Sequence, residues 1–194
     1  MNTTRIVQEL RQGNLVVTPT DTIYGILADA TNIAAVRKVK IAKHRNTNKP
    51  LLLLVDSLDM LYAHTGALSP LEQKIIENYL PGKLTILLPK NSKVSNHITG
   101  ESHLVGIRIP KHSEIIRIIR EVGHPLASTS ANLAGEPPIT NISQLSSELL
   151  QHISYVEDAG TINSEPSSLI KVKDNKVVIL RSGTVAIQIL KRYN

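Results

Sequence analysis

Residues 51–55 read Leu-Leu-Leu-Leu-Val, five apolar side chains in succession. A half-exposed strand alternates apolar with polar positions, so an unbroken run is the signature of a strand covered on both faces. The chain must therefore supply layers on both sides of a sheet. Its pattern provides them, because apolar runs of strand length alternate with stretches of helical period. A short strand opens at 15–17 and runs into Thr18-Pro19-Thr20-Asp21-Thr22. A helix fits 32–44, with Ile33, Val36, Val39 and Ala42 or Lys40 on successive turns. Ser69-Pro70-Leu71-Glu72 is a capping box with Pro at the first helical position; its helix carries Leu71, Ile75 and Tyr79 inward and stops at Pro81-Gly82. Strands at 84–88 and 104–109 flank a polar loop over 91–102. Ser113 caps a helix with Ile115, Ile116, Ile119 and Val122, closed by Gly123. A strand at 125–128 leads into Thr129-Ser130-Ala131-Asn132, and a further helix fits 142–152 before a strand at 154–157. Strands at 169–173 and 177–180 form a hairpin about Asp174-Asn175. Alternation with a terminal hairpin implies an α/β fold with a mixed, twisted sheet and flanking helices.

No repeat or Pro/Ser-rich linker divides the 194 residues, so 1–194 reads as a single domain. With five Tyr and neither Phe nor Trp, the core is built from Ile, Leu, Val and Ala, and an RNA platform of stacking rings is disfavoured. The absence of Cys excludes disulfides, thiolate metal sites and cysteine nucleophiles. The first residues lack a signal-peptide run and no stretch approaches membrane-spanning length, so the expectation is a soluble, cytoplasmic protein. A net charge of +6 points to anionic ligands such as nucleotide phosphates or RNA. Common phosphate loops are missing: no Gly falls in GxGxxG, and Gly82-Lys83 lacks the rest of a Walker A motif. HExxH and GxSxG are missing too, and the seven His are scattered without ligand spacing.

Four polar clusters sit where elements end, the usual place for ligand sites in α/β folds. The first is 18–25, which as a strand-exit turn needs only local backbone hydrogen bonds. The second is cationic: Arg37, Lys38, Lys40, Lys43, Arg45 and Lys49 occur with no acid between Asp29 and Asp56. Arg37 and Lys38 belong to a solvated helix face. Lys43, Arg45 and Lys49 follow the last apolar turn, outside the core, where cations can converge on phosphates. The third is 128–132, whose hydroxyls and amide supply uncharged donors and acceptors. The fourth joins Glu165-Pro166-Ser167-Ser168 before the hairpin to Arg181-Ser182-Gly183 after it.

In order, PTDTIYG, KHRNTNKPL, PGKLT, VGIRIP, STSAN, PSSL and LRSG resemble the motifs of the YrdC family over nearly the whole chain. The resemblance implies a threonylcarbamoyl-AMP synthase, forming threonylcarbamoyl-adenylate and pyrophosphate from L-threonine, bicarbonate and ATP. That product feeds a downstream tRNA threonylcarbamoyl transferase machinery. The family's KxR and SxN tetrad falls on Lys43, Arg45, Ser130 and Asn132, implied to be catalytic. By the same resemblance Thr22, Arg108 and Ser167 contact threonine, while Arg45, Lys49, Thr85, Ser128, Ser130 and Arg181 line the ATP site. Mg²⁺ is expected with ATP, and no protein ligand is assigned to it. Three positions depart from the family pattern: Leu54 where some longer relatives have His, Ala134 for a second Ser, and Ser168-Leu169 for Thr-Val. The first two imply rearranged contacts around the site. The alternatives are a non-catalytic domain binding tRNA or double-stranded RNA, a carbamoyl-adenylate-forming module, and the similar dihydroxybutanone-phosphate synthase fold, whose acidic metal ligands the cationic and hydroxylic clusters do not match. The intact tetrad disfavours the first as sole function. The second goes with extra acylphosphatase and zinc-finger regions that this Cys-free chain lacks.

Overall fold

The computed structural model describes residues 1–44 and 48–194. In chain order it contains α1 (Thr3–Arg11), β1 (Val16–Thr18), β2 (Gly25–Asp29), α2 (Ile33–Ala42), β3 (Leu52–Leu54), α3 (Leu58–Tyr62), α4 (Pro70–Tyr79), β4 (Leu84–Pro89) and α5 (Asn96–Thr99). There follow β5 (Leu104–Arg108), α6 (Ser113–Val122), β6 (Leu126–Ser130), α7 (Ser147–Leu150), β7 (Tyr155–Val156), β8 (Ser168–Lys173), β9 (Lys176–Arg181) and α8 (Ala186–Tyr193). The strands make one nine-stranded sheet in the order β7-β1-β2-β6-β3-β5-β4-β8-β9. Parallel pairs (β1 with β7, β3 with β5, β4 with β8) are interleaved with antiparallel ones, so the expected mixed sheet is what forms. Among the described residues no helix is long and apolar enough to cross a membrane.

The two sheet faces are covered unequally. One carries the larger core, where Val36 and Val39 of α2, Leu61 of α3, Ile75 and Ile76 of α4, Ile98 of α5 and Ile189 of α8 meet the strands. On the other face α1 and α6 bury Val16, Leu27, Leu54 and Leu126, with Leu52 and Tyr155 partly buried against them. The 51–55 run divides accordingly. Leu51, Leu53 and Val55 enter the larger core and Leu54 the smaller, while Leu52 is only half-buried. Coverage of this strand is complete at one end and open at the other.

Several elements differ from the sequence expectation. The helix over 32–44 is capped by the Asn32 side chain, and its inward residues include Lys40 rather than Ile33, which is 47% exposed. In α4 the buried apolar pair is Ile75 and Ile76; Leu71 and Tyr79 are half-buried. His112, not Ser113, caps α6, and Ile118 takes the inward place expected of Ile116. The helix over 142–152 is broken into a 3₁₀ turn (Ile142–Gln144) and α7, each started by its own cap. β6 extends through Ser130, so Thr129 and Ser130 are strand residues rather than turn residues. The hairpin turn is as read, with Asp174 and Asn175 both left-handed (φ 51° and 55°), which suits a two-residue turn between twisted strands.

Between β7 and β8 the chain crosses almost the whole sheet. Seven strand spacings of about 4.8 Å amount to roughly 34 Å, and eleven residues reach at most about 36–40 Å. The 157–167 segment therefore has little slack, and exposed and half-buried residues alternate along 161–166. Tyr24, fully buried, anchors its start: the hydroxyl donates to Gly160 O (2.7 Å) and accepts from the Ala159 amide (3.0 Å). The Ile162 amide donates to Thr140 O (2.8 Å), and Lys83 Nζ donates to Ser164 Oγ (2.8 Å). Tyr24→Phe removes the hydroxyl's bonds to Gly160 and Ala159, and its longer contact with Asp158, without changing the packing of the ring. It is expected to cost about 1–2 kcal/mol in urea unfolding. A midpoint equal to the parent's contradicts this anchoring.

Candidate active site

Where α1 and α6 stop, the same sheet face lies open. Its register aligns Ser128 with Leu52, Leu52 with Gly106, Gly106 with Leu87, and Leu169 with both Thr85 and Arg181. Opposed residues point to one face, so these side chains share a floor. Together they line a cleft of about 310 Å³. Its walls are Thr20, Thr22 and Ile23 of the β1–β2 loop, Pro50, Pro110, Pro138, and Pro166 of the crossover.

One end is built around Arg108, only 4% exposed. Its Nε donates to Gly82 O (3.0 Å), its Nη1 donates to Thr22 Oγ1 (2.8 Å), and its Nη2 lies 2.6 Å from Asp21 Oδ1. Burial pushes the Arg108 pKa down, the Asp21 carboxylate opposes that, and Arg181 adds to the lowering. Beside it, Thr85 Oγ1 and Ser167 Oγ share a hydrogen bond of 2.7 Å. Arg181 donates from Nε to Ser167 O (3.0 Å) and from Nη2 to Ser167 Oγ (3.1 Å), and desolvation lowers its pKa. The C-terminal segment can pass so near because residue 183 is glycine. A Cβ there would sit 2.7 Å from Pro166 O and 2.8 Å from the Ser168 amide.

The other end is built around Lys43, the C-cap of α2. Its Nζ donates to Ser130 O and lies 3.5 Å from Ser130 Oγ and 3.4 Å from Asn132 Oδ1. Asn132 Nδ2 donates to Leu133 O (2.8 Å) and Glu136 O (2.7 Å), which turns its oxygen toward Lys43. Ser128 and Ser130 line the cleft, whereas Lys43 and Asn132 stand behind Ser130.

Of the residues singled out by sequence, Thr22, Arg108, Thr85, Ser167 and Arg181 are brought together, and so are Lys43, Ser130 and Asn132. Lys49 is exposed beside Pro50, and Arg45 lies outside the described residues. Lys43 was expected outside the core but is 3% exposed, because the 132–136 loop closes over the end of α2. Asp21 is the residue that motif reading passed over. Its signal is that it is the one acid in PTDTIYG.

The departures from the family pattern have plain structural readings. Leu54 packs against α1 and α6 while lining the cleft. Ala134 is exposed and contributes its amide to Lys43 O (3.3 Å), a contact that any residue but proline can make. Ser168 Oγ accepts from the Val185 amide (3.2 Å), and Leu169 adds to the floor. Among the described residues there is no cluster of three acidic or histidine side chains able to hold a metal, and the cleft lining contains no carboxylate. That donor set does not fit protein-held Mg²⁺, which prefers oxygen ligands such as carboxylates and phosphates.

Residues 8–183 match the family model of the Sua5, YciO and YrdC proteins, described as telomere recombination. The chain belongs to the Sua5/YciO/YrdC family. A putative threonylcarbamoyl-AMP synthase of Methanocaldococcus jannaschii is 39% identical, over 95% of this chain and 87% of that protein. The threonylcarbamoyl-AMP synthase of Photobacterium profundum is 29% identical over 94% of this chain and 99% of its own length. That of Bacillus subtilis is 33% identical over 91% of this chain, and the match spans 51% of the longer protein. Pyrococcus abyssi Sua5, solved in complex with L-threonine, superposes on 98% of this chain and 56% of its own with a TM-score of 0.91 at 28% identity.

Burial of Lys43 has a measurable consequence. Lys43→Ala leaves Ser130 O and Asn132 Oδ1 without this donor and is expected to cost about 1–3 kcal/mol in urea unfolding. Lys38, exposed, donates to Gly13 O (2.9 Å) from the helix surface. Lys38→Ala is expected to cost less than about 1 kcal/mol. Equal unfolding midpoints for the two variants contradict a structural share for Lys43.

Proposed function

We propose that this chain, read as one YrdC-like unit over 1–194, joins L-threonine, bicarbonate and ATP into threonylcarbamoyl-adenylate and pyrophosphate. The observation that carries this is the polarity of one cleft. A buried guanidinium among hydroxyls stands at one end, and at the other stand the Ser128 and Ser130 hydroxyls, with the Lys43 ammonium directly behind Ser130. The first suits the carboxylate of a small amino acid, which pairs with two guanidinium N–H groups. The second suits a phosphate chain.

The chemistry has two steps. The threonine amine attacks the bicarbonate carbon, water leaves, and an N-carboxylate forms. A carboxylate oxygen then attacks the α-phosphorus of ATP, and the bond to the β-phosphate breaks to release pyrophosphate. The second step brings two anions together, so fixed cations and aligned donors provide the main acceleration. Arg108 takes the threonine carboxylate, with Thr22 and Ser167 at its amine or hydroxyl. Lys43, together with Arg45, neutralises charge at the reacting phosphates, and Ser128 and Ser130 offer hydroxyls to them. Thr85 and Arg181 serve the nucleotide. Since both already bind Ser167, the amino-acid and nucleotide subsites meet at that side chain. Mg²⁺ enters as the counter-ion of ATP and no step is assigned to it. The adenylate is an activated carbamoyl donor, consumed in the cytoplasm by a transferase acting on tRNA.

Pyrophosphate release tests this reading. It is expected only when threonine, bicarbonate and ATP are all present, and equal release without threonine would overturn it. Arg108→Ala should raise KM for threonine by about tenfold or more, the worth of a charge-assisted pair, while KM for ATP stays within about twofold.

A further inference from the structure

We propose that Asp21 is a positioning residue for the amino-acid end of the cleft: its carboxylate latches the 19–24 loop onto the end of β5, fixing Thr22 and Arg108 in one geometry. The inference rests on the reading of Arg108 and Thr22 as the threonine subsite.

The loop joins β1 to β2, where Thr18 pairs with Gly25. Sheet order puts β6 and β3 between β2 and β5. To reach β5 the loop has to fold back over the face, a distance of about 14 Å at 4.8 Å per strand. Its own shape is set by Thr20, whose Oγ1 accepts from the amides of Thr22 (3.1 Å) and Ile23 (3.2 Å) and donates to Ile23 O (2.7 Å). Those bonds are internal and do not say where the loop lies. Its placement over β5 comes from three contacts. Asp21 Oδ2 accepts from the Lys111 amide (3.1 Å), Asp21 Oδ1 faces Arg108 Nη2 at 2.6 Å, and Thr22 Oγ1 accepts from Arg108 Nη1 at 2.8 Å. Asp21 supplies two of the three.

Its location rules out direct contact with the reactants. The side chain is 10% exposed, is not among the cleft-lining residues, and stands behind the guanidinium. The Oδ1–Nη2 contact is out of line for a hydrogen bond, and both atoms are fully buried. It is therefore a charge contact that neutralises a buried cation and leaves donor capacity unspent. Arginine has five N–H donors. Arg108 directs one to Gly82 and one to Thr22, so the guanidinium that borders the cleft keeps N–H groups for an anion. Without the latch, threonine binding has to order the loop and orient the guanidinium itself, and affinity falls by that cost.

The test compares Asp21→Ala and Asp21→Asn by pyrophosphate release and by calorimetric titration of threonine and ATP separately. Asn keeps an acceptor for the Lys111 amide and removes the charge. Asp21→Ala is expected to raise both Kd and KM for threonine about tenfold or more, with ATP affinity within about twofold and kcat at saturating threonine within about threefold. Asp21→Asn should fall between parent and Ala. If Asp21→Ala shows no cooperative melt, the isosteric Asn variant carries the comparison. Unchanged threonine affinity, or an equal loss for threonine and ATP, overturns the latch. Arg108→Ala separates the two layers of the argument. If it leaves threonine affinity intact, the subsite reading fails. If it lowers threonine affinity and neither Asp21 variant does, only the latch fails.

Discussion

A guanidinium buried on the floor of an apolar sheet must be met by fixed partners, because an uncompensated charge in that position costs several kcal/mol. Arg108 is met by Gly82 O from the turn entering β4, by Thr22 and Asp21 from a loop folded across the face, and by Lys111 indirectly through Asp21. Three segments distant in sequence are thereby brought to one point. The same point is where a small anion can bind, because the fork retains donors that the protein does not use. Stability and recognition have a common origin here.

The site exists because the sheet is only half covered on one face. α1 and α6 close over Val16, Leu27, Leu54 and Leu126; Ser128 and Leu52 come next on the same face of β6 and β3, and Gly106 and Thr85 continue that face on β5 and β4. Gly106 keeps the floor low, and Thr85 and Ser128 set hydroxyls among its leucines. The crossover of 157–167 runs nearly taut from one side of the sheet to the other and delivers Pro166 and Ser167 to the cleft. Its anchor on Tyr24 links the position of Ser167 to the first hairpin. Relatives such as the Bacillus subtilis synthase carry about as much chain again beyond this unit.

Much of this was legible in the sequence. The five-residue apolar run, the capping box at Ser69 and the Asp174-Asn175 turn each encode their element locally. Helix periodicity failed where burial was decided by the partner surface: Ile33 points outward while Lys43 is buried. The strand at 25–29, the helices α1, α3, α5 and α8, and the break between Ile142 and Leu150 are not encoded by local signals strong enough to read without the tertiary packing. Ordered motifs located nearly every polar residue of the cleft. They could not show that Asn132 faces Lys43 or that Thr85 and Arg181 share Ser167, since such pairings arise only when segments distant in sequence are packed together. Asp21 was hidden for the same reason, being 90 residues from Lys111.

The central claim is that the cleft has a fixed polarity, amino acid at Arg108 and phosphates toward Lys43. The most direct measurement is a crystal structure with L-threonine and a non-hydrolysable ATP analogue bound together. The account predicts the threonine carboxylate within hydrogen-bonding distance of the Arg108 terminal nitrogens, with the β- and γ-phosphates on the Lys43 and Ser130 side. Phosphates seated on Arg108, with threonine at Lys43 or outside the cleft, would contradict it.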